Sequence, residues 1–206
     1  MRIITISRQF GSGGRELGKR LADLLGYDYY DREIITAIAK KHDMSENFVE
    51  STLDNHWWQT VPLTYHHSFD MISPMQEIQT TLFVEENNII KGIAAAGKNC
   101  IIVGRNADVR LKDYDPFRIF VCAEMDAKIK RCIERASEGE DISEKAIKKN
   151  IKAIDKNRAR NAELITGKQW GDPEAYDLVV NTTKWNIKEL TPVVAEYANK
   201  FFERSK

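Results

Sequence analysis

The chain has 206 residues, 42% hydrophobic and 30% charged, with 31 basic residues balanced by 31 acidic ones for a formal net charge of zero. This is enough chain for one core of ordinary globular composition, and the balanced charge argues against a dedicated nucleic-acid binder. No apolar run has the length of a membrane span, no leader is expected ahead of a chain that opens on a strand, and three cysteines without metal-ligand spacing suit reduced thiols in the cytoplasm.

In chain order, an apolar run at residues 2–7 predicts a first strand. A glycine-rich turn follows, Phe10-Gly11-Ser12-Gly13-Gly14, and an amphipathic helix is predicted over 15–25. Residues 27–30 suggest a short second strand. Asp31 stands where an N-cap would start the next helix, and a shorter helix begins near Ser45. Residues 56–74 form a separate stretch rich in aromatics that holds three of the four histidines. Adjacent histidines diverge in regular structure and have no partners at ligand spacing here, so no metal site is expected; exposed aromatics suit a cover over a bound ligand or a homo-oligomer contact.

A long helix is predicted over 75–96, stopped by Gly97. Strands follow at 99–103 and 117–122, helices at 126–136 and 143–165, and a strand at 176–181. The last helix, 187–204, is expected to kink near Pro192. The strand runs are continuously apolar rather than alternating, which suits a parallel sheet buried on both faces with helical crossovers. The expectation is one α/β domain over 1–206 carrying two insertions over the strand ends, at about 45–75 and at about 137–160.

The turn after the first strand carries the chemistry. Strand, glycine turn and helix start together form a cradle of backbone N–H groups, reinforced by the helix dipole. The P-loop pattern G-x-x-x-x-G-K-S/T fails at both ends: Arg8 stands at its first glycine and Gly14 at its lysine. Gly11, Ser12, Gly13, Gly14, Arg15 and Glu16 are the expected nucleotide-phosphate contacts. Arg15, one position past the missing lysine, can reach a phosphate bidentately. Glu16 in the first helical turn is satisfied by the dipole alone, with a water-mediated Mg²⁺ contact as the alternative.

Residues Ile4-Thr5-Ile6-Ser7-Arg8-Gln9-Phe10-Gly11-Ser12-Gly13-Gly14-Arg15-Glu16, then Tyr29-Tyr30-Asp31-Arg32-Glu33, resemble the cytidylate kinase-like family, a divergent branch of the P-loop nucleoside monophosphate kinases. Ile102-Val103-Gly104-Arg105-Asn106, Phe117 to Ala123 with Lys130-Arg131, Asp155 with Arg158, and Trp170-Gly171-Asp172-Pro173 continue it in family order, over about residues 2–183. The resemblance implies a three-layer P-loop NTPase-type fold: a parallel five-stranded sheet flanked by helices, with a nucleoside-monophosphate-binding insertion and a lid. It implies phosphoryl transfer from ATP, with Mg²⁺, to CMP or dCMP.

On that reading Arg105, beside Gly104 at a strand end, grips the acceptor phosphate, with Arg8 and Arg32 as helpers and Asp31 holding or activating the acceptor. A salt bridge, a cap or a solvated charge would be the plain structural alternatives. Family position singles out Arg131 and Arg158 as clamps on the migrating phosphoryl group, beside Arg15; Arg158 and Arg160, two apart on a helix, cannot share one face. The chain departs from characterised cytidylate kinases at Gly14, where they carry lysine, and at Asn106, where they carry aspartate. A non-catalytic nucleotide binder on the same fold, or a kinase for another small acceptor, are the alternatives.

Overall fold

The structure, a computed structural model, describes residues 1–54, 74–136 and 143–204. The aromatic–histidine stretch and the acidic break expected at 138–141 lie outside them. The described elements run β1 (Ile3–Arg8), α1 (Gly14–Leu25), β2 (Asp28–Tyr30), α2 (Glu33–His42), α3 (Glu46–Asp54), α4 (Pro74–Ala95), β3 (Cys100–Val103), α5 (Ala107–Arg110), β4 (Phe117–Cys122), α6 (Met125–Glu134), α7 (Glu144–Thr166), β5 (Leu178–Asn181) and α8 (Ile187–Arg204).

The five strands form one parallel sheet in the order β2-β3-β1-β4-β5. β1 lies at the centre, and its side chains alternate between two cores. Ile4 and Ile6 pack with Leu17, Leu21, Ile119 and Val194 beneath α1 and α8. Ile3 packs on the opposite face with Ile34, Leu82, Ile90 and Ile102 beneath α2 and α4. Both faces are covered, which is why the strands read as unbroken apolar runs.

Gly97 follows α4 with positive φ, as the sequence suggests, and Gly26 and Gly167 end α1 and α7 in the same way. Asp31 does not cap α2. The cap position is Arg32, which makes no side-chain cap bond, and the Asp31 carboxylate turns instead to two arginines. The short α5 has no counterpart among the elements expected from the sequence. The last helix runs through Pro192 without interruption; the missing proline N–H costs the one bond it would have given to the Lys188 carbonyl and leaves the rest of the ladder in place. Open parallel sheets bind ligands beyond the carboxyl ends of their strands. Arg8, Asp31 and Gly104 each stand at or just past such an end.

Candidate active site

The glycine turn bends because Gly11 and Gly13 take φ of 74° and 85°, values costly for residues with a Cβ. Ser12 is fully buried; its hydroxyl donates to the Gln9 carbonyl at 2.8 Å, and its carbonyl accepts from the Thr182 hydroxyl at 2.6 Å. α6 and α7 pin the turn from outside. The Phe10 amide donates to Asp155 Oδ1 at 2.6 Å, and Lys128 Nζ donates to Asp155 Oδ2 at 3.1 Å and to Gln9 Oε1 at 3.3 Å. The first-turn amides of α1 have no intrahelical acceptor and face anions by geometry. Over this turn lies a cavity of about 580 Å³, lined among others by Gly11, Gly13, Gly14, Arg131, Arg135 and Asn150.

A second cavity, about 370 Å³, lies beside it. Its wall includes Gly104, Arg105 and Asn106, which take φ of 79°, 59° and 49° in succession. Left-handed backbone costs roughly 1–2 kcal/mol per residue with a Cβ, and such strain persists where the surroundings over-determine it. The bend brings the Arg105 guanidinium to 3.7 Å from Glu50 and 3.6 Å from Glu86, while the Arg105 carbonyl accepts from Arg110 Nε at 3.0 Å. Arg110 also donates to Glu86 at 2.9 Å, with both side chains about 5% exposed, and lies 4.3 Å from the Phe83 ring centroid. Burial, partly offset by Glu86, holds the Arg110 guanidinium below its ordinary value.

Three arginines, Arg8, Arg15 and Arg158, line both cavities. Arg8 lies 3.6 Å from Asp31. Burial first, then the Arg158 charge, push Arg8 down to about 9, with Arg105 and Arg15 adding to the repulsion and Asp31 opposing it. A guanidinium nevertheless stays protonated near neutrality, so this crowding of like charge favours an anion at the place where the arginines meet. Arg15 Nε pairs with Asp31 while its side chain stays 55% exposed. Arg158 donates to the Arg8 carbonyl at 3.1 Å, and its guanidinium carbon lies 5.8 Å from the Phe10 ring centroid. Arg160 lines neither cavity.

The remaining predicted residues are placed differently. Arg131 borders only the turn-side cavity, and its guanidinium donates to the Thr182 hydroxyl at 3.2 Å and to the Thr182 and Trp185 carbonyls. Arg32 is 66% exposed, 3.7 Å from Glu50, and lines neither of the two cavities. Glu16 pairs with Arg20 at 2.8 Å and with Arg135. Its partial burial favours the neutral form, but those two cations prevail and lower its pKa.

Sequence reasoning passed over Glu50, Glu86, Arg110 and Lys128. A signal existed for one of them. The buried stripe of α4 reads Leu82, Glu86, Ile90, Ala94, so a carboxylate sits in an otherwise apolar i, i+4 series.

The residues fit a nucleotide polyphosphate: a positive-φ cradle, a helix N-terminus and flanking guanidiniums. They offer less to Mg²⁺. Position 15 carries no hydroxyl, Glu16 and Asp31 each engage two arginines, and no group of three or more His, Cys, Asp or Glu suited to a metal occurs among the described residues. Any Mg²⁺ would therefore be carried mainly by the phosphates and water.

The family model described as "Cytidylate kinase-like family" matches residues 3–184. The chain belongs to the cytidylate kinase-like family. It is 28% identical to a cytidylate kinase of Pyrococcus horikoshii over 93% of this chain and 85% of that protein. It is 26% identical to one of Pyrococcus abyssi over 98% and 96%. A crystal structure of an uncharacterized protein from Eubacterium ventriosum superposes with a TM-score of 0.69 at 25% identity, covering 97% of this chain and 99% of that one. Shikimate kinase from Bacteroides thetaiotaomicron superposes at 0.56 with 14% identity over 96% and 98%, a likeness of fold. Family and fold together support a nucleotide or small-molecule kinase. Among the described residues no helix is long and apolar enough to cross a membrane.

Proposed function

We propose that this member of the family transfers a phosphoryl group from ATP to a nucleoside monophosphate, CMP or dCMP. The observation that carries this reading is the meeting of the two cavities at Arg8, Arg15 and Arg158. The turn-side cavity takes the donor polyphosphate on the amides of residues 11–16. The second cavity takes the acceptor. Five arginines and two glutamates line it, a cationic excess that suits a phosphate. Phe83 and Trp170 add flat apolar surface for a base.

In this reading Arg105 holds the acceptor phosphate, its direction fixed by Glu50 and Glu86. Asp31 orients Arg15. Arg158 faces the migrating group, where positive charge lowers the barrier most, and Arg15 borders both cavities from their exposed side. Arg131 shapes the donor side through Thr182. Mg²⁺ supplies further charge neutralisation when bound with the nucleotide. The protein's contribution is position and charge rather than covalent chemistry.

Missing the loop lysine also suits a non-catalytic nucleotide binder. ADP release from ATP and Mg²⁺ separates the two, measured against CMP, dCMP, UMP, AMP and shikimate. Release that requires CMP or dCMP is expected. ATP binding with no acceptor-dependent release would favour the binder, and release with shikimate alone would redirect the acceptor class.

A further inference from the structure

Two departures from the P-loop pattern compensate for each other. A Cβ added at Gly14, the lysine position, would lie 2.6 Å from Arg8 Cβ, 3.1 Å from Arg8 Cγ and 3.3 Å from Val121 Cβ. These are stem atoms rooted on β1 and β4, not flexible side-chain ends. The Arg8 stem therefore occupies the first part of the path a residue-14 side chain would follow. Arg8 itself stands at the pattern's first glycine. The motif has a glycine and a cation at these two positions, and here they are exchanged.

The far end of Arg8 is equally provided for. A Cβ at Gly104 would fall 1.8 Å from Arg8 Nη1 and 2.7 Å from Cζ, so the guanidinium lies against bare backbone after β3. The Arg8 side chain is only 14% exposed, yet it borders both cavities. Arg15 differs: it points outward, half-exposed, into its pair with Asp31.

We propose that Arg8, supplied from strand β1, does the work that the lysine of helix α1 does in the standard loop, and that Gly14 and Gly104 are glycine to make room for it. The proposal rests on the kinase reading above and assigns the loop's cation within it. During transfer the acceptor phosphate oxygen bonds to the γ-phosphorus. The bond from that phosphorus to the β–γ bridging oxygen breaks, and its electron pair leaves on ADP. Arg8 donates N–H bonds to the phosphoryl oxygens and gives up no proton.

The test is an exchange. Arg8→Gly, Arg8→Met, Gly14→Lys, Arg15→Ala and the double variant Arg8→Gly/Gly14→Lys are compared for kcat, for ADP affinity by calorimetry and for thermal melting. Removing one preorganised cation should lower kcat by about 100-fold or more in Arg8→Gly. Arg8→Met keeps the stem without the charge and should lose as much, which covers any folding failure of the glycine variant. Gly14→Lys should melt early, because two stems compete for one path. The double variant should melt above Gly14→Lys and regain kcat and ADP affinity relative to Arg8→Gly. The proposal is overturned if Arg8→Met keeps wild-type kcat and ADP affinity, if Arg15→Ala loses more than Arg8→Met, or if the double variant shows no recovery. Should the wild type turn over no acceptor, the kinase reading fails, while the ADP affinities and melting points still decide whether Arg8 is the loop's cation.

Discussion

The two halves of the site are built by different means. The proposed donor half is one continuous turn, residues 8–16, whose available groups are backbone amides; α6 and α7 only hold it in place through Lys128 and Asp155. The acceptor half is assembled from side chains of α3, α4, α5, α7 and the bend after β3, with a buried ionic group, Glu86–Arg110, in its wall. A backbone cradle tolerates change in its supports better than a side-chain cavity tolerates loss of one charged member. The reason is that the cradle's ligands are fixed by φ and ψ, whereas the cavity's are fixed by one another.

Four substitutions sharpen or break that contrast. Arg158 borders both halves, so Arg158→Ala should reduce kcat by about 1,000-fold, in the range of a transferred-phosphoryl arginine, with a smaller change in either KM. A loss confined to KM for one substrate would place Arg158 in one half only. Within the acceptor half, Glu86→Ala leaves Arg110 buried without its carboxylate and should cost about 3 kcal/mol in urea unfolding, because a buried charge loses its partner. Stability within about 0.5 kcal/mol of wild type would show that the cavity wall reorganises freely. Within the donor half, Asp155→Ala removes the acceptor of the Phe10 amide and of Lys128 and should cost about 2 kcal/mol, while raising KM for ATP more than kcat falls. An equal effect on the acceptor KM would erase the division between halves. Arg32 is an exposed charge outside both cavities, so Arg32→Ala should change either KM by less than about threefold. A tenfold rise in acceptor KM would bring Arg32 back into the site.

The legibility of the molecule followed the same division. The strands, the glycine turn and most helix ends could be read, because each is specified by neighbours a few residues away: apolar runs, positive-φ glycines, caps. The candidate arginines could be named from the motif order. Their partners could not be read from local pattern. Asp31 looks like a helix cap and is instead a partner of Arg8 and Arg15. Lys128 looks like one of many helix-face lysines and is buried against Gln9 and Asp155. Glu86 alone left a mark, as an acid on an apolar stripe.

By itself, then, the sequence determined the α/β order of the chain, the parallel sheet and the glycine turn at the first strand-to-helix junction, since periodicity and glycine placement are local properties. Tertiary structure decided how the cations around that turn are arranged. Residue 14 is closed to a side chain only because the Arg8 stem and Val121, brought alongside by β4, fill the space, and Arg8 reaches its place only because Gly104 stands across the sheet without a Cβ. The contacts of residue 14 with Val121 and of Arg8 with Gly104 join distant parts of the chain and are set by strand order and packing, which no window of sequence contains.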